Sequence, residues 1–270
     1  MDKELSDIEK LLKNVVVASG VKVKELFIKK NYKLLEKKDE NDVLTSTDIF
    51  SEKYIVDRII KKYPKYNILS EEKGLINNNS DLTFIIDPLD GTKEFVRGIS
   101  DFNIIAGLEY NNEMVVGIVY KPMSDELYYA RINCGAYVNN KKIHVSRISE
   151  LSKSYIYTIF PLLSTKSEVK EESWEKISKL NKKVYRIRGM GNTNSAFCLI
   201  AKGSFEGYIN PIGFVKGSWD ILPSLVILKE AGGRISGMDG GRWRPEKDLE
   251  KGLVASNSLI HDMLIKIINK

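Results

Sequence analysis

The sequence predicts a layered α/β protein, and three observations carry that reading. Apolar residues recur at helical spacing over residues 4 to 36. Short strand-like runs separated by turn residues fill the middle of the chain. Strand and helix patterns alternate after about residue 150. With 270 residues, 43% of them hydrophobic and 29% charged, the chain can bury one large core or two coupled halves. It shows no internal repeat or low-complexity tract. We expect two halves, residues 1–145 and 146–270, joined in one layered unit with a soft boundary near residue 145.

Leu5, Ile8, Leu11, Leu12, Val15 and Val16 begin an apolar stripe that continues to Leu26 and predicts a long amphipathic helix. The polar stretch "KKDENDVLTSTD", residues 37–48, interrupts it. Thr47 or Asp48 then serves as N-cap for a helix through "IFSEKYIVDRIIKKY" that stops at Pro64. "YNILSEEKG" and "LTFIIDPLD" predict short strands that each finish in acids. "FNIIAGLEY", "EMVVGIVYKP" and "ELYYARI", with turn residues between them, predict an antiparallel meander. "GAYVNNKKIHVS" adds a hairpin around an Asn-Asn turn.

In the second half, "SYIYTIF" predicts a strand, "SEVKEESWEKISKL" a helix and "KVYRIR" a strand. "NSAFCLIAKG" predicts a helix with a glycine stop, and "FEGYIN" a strand. "SWDILPSLVILKEAGG" predicts one helix closed by Gly232-Gly233, with Asp220 at its start. "GLVASN" and "SLIHDMLIKIINK" finish with a strand and a helix.

A net charge of +6 and a pI near 9.0 admit an anionic ligand. The lysine pairs at 29, 37, 61, 141 and 182 are scattered, so nucleic-acid binding is not expected as the main role. Cys134 and Cys198 are too few and too distant for a disulfide framework or a zinc site. His144 and His261 are isolated, and His261 reads as a surface or core-packing residue. The start "MDKELSDIEKLLK" lacks an apolar signal-peptide core, and no apolar run approaches the roughly 20 residues of a membrane span. The expected setting is the cytoplasm.

The chemistry concentrates in acids placed where strands end or helices begin. Glu71 follows "NILS", Asp87 and Asp90 bracket "PL", Asp220 follows Trp219, and Asp48 precedes a helix. A carboxylate at the end of a buried strand needs a partner, and no basic residue follows until Lys93. Magnesium takes such hard oxygen ligands. Pro88 restrains the backbone so that Asp87 and Asp90 converge on one side of a turn, and Gly91 lets the main chain approach an anion. A helix opening at Thr92 would turn free N–H groups toward that anion. Taken singly, Asp-Pro and Asp-Gly are turn dipeptides and Asp220 an N-cap; their conjunction in one chain points to a site.

The series "DVLTSTD…EK", "SEEKG", "IIDPLDGTKEF" and "WDILPSLVILKEAGG" resembles the inositol monophosphatase superfamily of metal-dependent, lithium-sensitive phosphatases, from about residue 8 to the end. The resemblance implies a layered αβαβα sandwich and a phosphomonoesterase that uses two or three magnesium ions, with manganese as a substitute. By that resemblance Glu71, Asp87 and the Leu89 carbonyl hold a first ion, and Asp87, Asp90 and Asp220 a second. Thr92, bonded to Asp48, helps Glu71 orient and deprotonate the attacking water. Asp90, Gly91, Thr92, Gly191, Thr193, Lys93 and Arg97 meet the substrate, with Arg186, Arg188 and Lys216 as further candidates for an anionic group. A homodimer is implied in the same way.

The leading substrate is inositol monophosphate or a similar small sugar phosphate. "DGTKEF" followed by "VRG" is also similar to 3'(2'),5'-bisphosphate nucleotidases and to histidinol-phosphatase members, and fructose 1,6-bisphosphate is a third candidate. A role in binding RNA or a transcription factor is the alternative from a different class.

Overall fold

Helix α1 (Asp2–Lys29) opens the structure, a computed structural model that describes residues 2–35, 43–189, 191–213 and 217–270. It ends earlier than the apolar pattern predicts. Lys30 turns left-handed at φ 50°, and Asn31 N–H closes back on the Leu26 carbonyl at 3.0 Å. The leucines beyond it form β1 (Leu34–Leu35), antiparallel to β2 (Leu44–Thr45).

Helix α2 (Ser46–Lys62) is capped by Thr45 rather than by Thr47 or Asp48. Thr45 accepts from Thr47 N–H at 3.1 Å, and Asp48, at the third helical position, accepts from Thr45 N–H at 2.9 Å. In this reciprocal arrangement the earlier threonine caps and the aspartate closes the box.

There follow β3 (Asn67–Ser70), β4 (Gly74–Ile76), β5 (Leu82–Asp90), the short α3 (Thr92–Val96), β6 (Asn103–Tyr110), β7 (Glu113–Lys121), β8 (Glu126–Arg131), β9 (Ala136–Val138) and β10 (Lys141–Ile143). They give an eight-stranded sheet in the order β10-β9-β8-β7-β6-β5-β3-β4. Its meander is the expected one. Asn111 and Asn112 (φ 50° and 62°) turn β6 into β7, and Asn139 and Asn140 (φ 46° and 65°) turn β9 into β10. Paired left-handed residues match the twist of a two-residue hairpin. One sheet face carries Phe84, Ile86, Ile104, Ala106, Leu108, Val116 and Ile118. These pack with Ile8, Leu12, Val16 and Val23 of α1 and with Ile55, Val56 and Ile59 of α2.

The second unit contains β11 (Tyr155–Thr158), α4 (Ser167–Asn181), β12 (Arg186–Gly189), α5 (Thr193–Ala201), β13 (Gly207–Asn210), α6 from Leu228 on (Leu222–Glu230 in full), β14 (Arg234–Gly237), α7 (Pro245–Asp248), β15 (Leu253–Ser256) and α8 (His261–Ile268). Its five-stranded sheet runs β12-β11-β13-β15-β14. The β11 pairs are parallel, and the β13-β15 and β15-β14 pairs antiparallel. Ile177 and Leu180 of α4 pack with Leu264 and Ile268 of α8 over Ile156, Ile209 and Val254. Strand β14 is not evident from sequence, because "RISG" is short and half polar. His261 is fully buried, as a packing residue should be.

The two compact units are Met1–Lys141 with Trp219–Ile227, and Lys142–Ser218 with Leu228–Lys270. Asp220 therefore belongs to the first unit, whereas chain order alone assigns it to the second half. The stretch read as one helix from Ser218 is a 3₁₀ turn, Ser218–Asp220, followed by α6. Pro223 explains the late start, since a proline in a helix's first turn lacks only an N–H that would be unused there. Gly107 and Gly117, paired across β6 and β7, make a notch for this segment. A Cβ at Gly117 would lie 1.9 Å from the Pro223 carbonyl oxygen, and one at Gly107 would lie 3.2 Å from Pro223 Cβ.

Candidate active site

Glu71 sits just past the end of β3, where its N–H donates to the Ile86 carbonyl of β5 at 3.2 Å. The parallel register, Ser70 beside Ile86, sets Glu71 next to Asp87. Beyond Asp87 the pairing of β5 with β6 shifts register between Asp87 and Asp90. Pro88 falls within that irregularity, where a strand tolerates a missing N–H. Asp87 Oδ1 accepts from Leu89 N–H at 3.1 Å, an Asx turn that folds the acid back over the bulge. Asp90 Oδ2 accepts from Asn103 Nδ2 at 2.9 Å.

Asp87 is fully buried. Burial first, then the charges of Glu71, Asp90 and Asp220, drive its carboxyl well above the usual carboxylate range, and a hydrogen bond with Glu71 adds to the rise. Three of the other acids named from sequence, Glu71, Asp90 and Asp220, thus act on Asp87 within the first unit. Among the described residues no three His, Cys, Asp or Glu side chains close into a ready-made metal cage. The array is open and made of hard oxygen donors, and its mutual repulsion would be relieved by a bound positive charge. That donor chemistry fits hard divalent cations.

Asp48 is buried on α2. Its Oδ2 accepts from Thr45 N–H at 2.9 Å and Thr45 Oγ1 at 2.5 Å, and its Oδ1 accepts from Thr92 Oγ1 at 2.9 Å. Desolvation raises its pKa, against the lowering effect of those bonds, with the Glu71 charge raising it further. Thr92 Oγ1 also lies 3.0 Å from the Leu89 carbonyl oxygen, so its single proton has two acceptors. Gly91 caps α3 at φ 96°. A Cβ there would meet the Asp101 carbonyl oxygen at 2.8 Å, so both conformation and space call for glycine. Lys93 on α3 and Arg97, its C-cap, are exposed.

Gly191 and Thr193 lie in the second unit, at the start of α5, where Thr193 Oγ1 bonds the Tyr208 hydroxyl at 3.0 Å. Arg186 and Arg188 are exposed on β12 of that unit, and Lys216 lies outside the described residues. The sequence motifs leave Asn103, Ser51 and Glu52 without a role. The last two are buried polar residues on the inward face of α2, hidden in "IFSEKY", which looks like an ordinary amphipathic stretch. The signal available was their spacing from Asp48, three and four residues on, in line with Ile55, Val56 and Ile59.

Among the described residues no helix is long and apolar enough to cross a membrane. The model of the inositol monophosphatase family matches residues 4–270. A fructose-1,6-bisphosphatase/inositol-1-monophosphatase of Aquifex aeolicus is 32% identical over 263 residues, covering 96% of this chain and 94% of its own. The Nus factor SuhB of Pasteurella multocida is 33% identical over 205 residues, 76% of this chain and 75% of that one. The crystal structure of the extragenic suppressor protein suhB from Bartonella henselae superposes with a TM-score of 0.89 at 26% identity, over 98% of this chain and 99% of that one. The carboxylates gathered at the end of β5 stand in that setting, and the chain belongs to the inositol monophosphatase family of phosphatases.

Proposed function

We propose that the protein is a magnesium-dependent phosphomonoesterase that hydrolyses inositol monophosphate or a similar small sugar phosphate by attack of an activated water. The observation that carries this reading is the buried Asp87 at the end of β5, with Glu71 set beside it by the parallel β3-β5 register and Asp90 across the register shift. Glu71, Asp87, the Leu89 carbonyl, Asp90 and Asp220 would hold the cations, magnesium first and manganese as a substitute. Such ions, when bound, make water nucleophilic near neutral pH and offset charge on the transferring phosphoryl group.

The chain's own groups supply the rest. Thr92 Oγ1, whose single proton goes to Asp48 Oδ1 or to the Leu89 carbonyl oxygen, has lone pairs left to accept from the attacking water. The Glu71 carboxylate would take that water's proton. Gly91 and Thr92 N–H groups, at the start of α3, would hold phosphate oxygens, with Lys93 on that short helix and Arg97 at its C-cap. Gly191 and Thr193 are assigned to the substrate on resemblance alone. A homodimer in the cytoplasm is the assembly and setting that the resemblance supports.

Release of inorganic phosphate from inositol monophosphate, fructose 1,6-bisphosphate and adenosine 3',5'-bisphosphate, with and without magnesium, tests the reading. Turnover of none of them overturns it, and preference for the adenosine compound reassigns the enzyme to the bisphosphate nucleotidases. The name of the Aquifex relative, which carries both sugar activities, favours the first two substrates. The SuhB relative motivates a second reading, a binding role on the same scaffold. Salt-dependent RNA binding that survives Asp90→Asn would support it.

A further inference from the structure

We infer that one polar face of α2, formed by Asp48, Ser51 and Glu52, is a positioning rack that sets the spacing of the cation-binding segments before any cation arrives. Ser51 and Glu52 are thereby positioning residues. The inference rests on the proposed role of Glu71, Asp87 and Asp90, and adds what holds them.

The three residues stand at i, i+3 and i+4, on one side of the helix, and each is 0–1% exposed. Ile55, Val56 and Ile59 continue the same face as core. An apolar residue at any of the three would also fill the space, so their polarity needs a reason. Each one grips a different segment of the site.

Glu52 holds the turn that carries Glu71. Its Oε1 accepts from Ser70 Oγ at 2.6 Å, from Lys73 N–H at 2.9 Å and from Glu72 N–H at 3.2 Å. These donors bracket Glu71 on both sides, while the N–H of Glu71 itself is tied to Ile86. Three donors on one oxygen compensate the burial of a carboxylate whose partners here are a hydroxyl and two amides.

Ser51 holds the bulge between Asp87 and Asp90. Its hydroxyl donates to the Pro88 carbonyl at 2.6 Å. That uses its only proton, so in the 2.8 Å contact with Ser19 it is Ser19 of α1 that donates. The relay Ser19–Ser51–Pro88 ties α1, α2 and the bulge together. Asp48 holds Thr92, completing the set. One and a half turns of helix thus grip residues 70–73, 88 and 92. A shared rigid support of this kind keeps like-charged groups close enough to share a cation, at the expense of their mutual repulsion.

The test is Mn2+ binding to the full chain, read by electron paramagnetic resonance, beside phosphate release at rising Mg2+. For Glu52→Ala, Glu52→Asp and Ser51→Ala we expect cation affinity to fall about 10- to 100-fold. Activity should return to within a few fold of wild type at saturating magnesium, and the circular dichroism should be native. Glu52→Gln keeps an acceptor oxygen of the same reach and should stay within a few fold of wild-type affinity. Should Glu52→Ala not fold, Glu52→Asp and Ser51→Ala carry the same expectation. Folded variants that bind Mn2+ as tightly as wild type overturn the rack alone, leaving the cation site standing. A wild-type protein that binds no Mn2+ overturns the cation site, and the rack with it.

Discussion

Thr92 Oγ1 lies 2.9 Å from Asp48 Oδ1, although 44 residues separate them in the chain. The aspartate closes a helix cap with its other oxygen, so one carboxylate both starts α2 and orients a hydroxyl beside the carboxylate array. Replacing Thr92 by Val keeps the volume and removes the bond. We expect kcat to fall about 100-fold or more with little change in Mg2+ affinity, and Thr92→Ser to recover most of it. Steady-state rates at saturating magnesium decide the point.

Asp90→Asn removes charge from the cation site while keeping an oxygen for Asn103 Nδ2 to meet. The loss of several kcal/mol of charge stabilisation corresponds to a fall in kcat/KM of about a thousand-fold or more. Stripping the wild-type protein with a chelator should abolish turnover, and added Mg2+ should restore it. Added cation should also raise the melting temperature, since magnesium at about 100 times its Kd stabilises the folded state by about 2.7 kcal/mol. That rise should be absent in Asp90→Asn.

Gly117→Ala tests the seat of the segment that carries Asp220. The new methyl would lie 1.9 Å from the Pro223 carbonyl oxygen and 2.5 Å from Val226 Cγ1, and the backbone atom cannot swing aside. Overpacking of this kind costs about 1–3 kcal/mol. We expect a lowered melting temperature together with a higher Mg2+ concentration for half-maximal activity, because the Asp220 turn must move with Pro223.

His261 makes the second unit sensitive to acid. Its Nδ1 lies 2.9 Å from Ser256 Oγ and its Nε2 2.8 Å from Ser236 Oγ. Burial first, then the Arg234 charge, lowers its pKa from 6.5 to about 4, against a small opposing pull from Asp262. The unfolded chain therefore binds a proton that the folded one refuses, so this contribution is complete above pH 6.5 and is lost as pH falls toward 4. Arg234 and Asp262 are exposed and screened, which brings the expected loss to about 2 kcal/mol. Urea midpoints at pH 7.5, 6 and 5 should show this decline, and His261→Gln should flatten it.

The repeating parts of the fold were legible because periodicity alone carries them. The α1 stripe, the meander of β6, β7 and β8, and both asparagine hairpins follow from local spacing and from residues that accept left-handed backbone. The errors fell where a choice depends on partners. Thr45 won the α2 cap because Asp48 was needed to close the box. Pro223 delayed α6, leaving Asp220 in a 3₁₀ turn. Strand β14 offers too little apolar sequence to declare itself and is held in place by β15.

By itself the sequence determined the inventory: which acids close which strands, the proline and glycine that bend the chain between them, and the family those motifs carry. Tertiary structure decided the assembly. The parallel register that sets Glu71 beside Asp87, the glycine notch that seats Pro223, and the grip of Ser51 and Glu52 all join residues far apart in the chain. Hydrogen bonds and close packing act through space, so a serine or glutamate in a helix reads as solvent-facing until its neighbours are known.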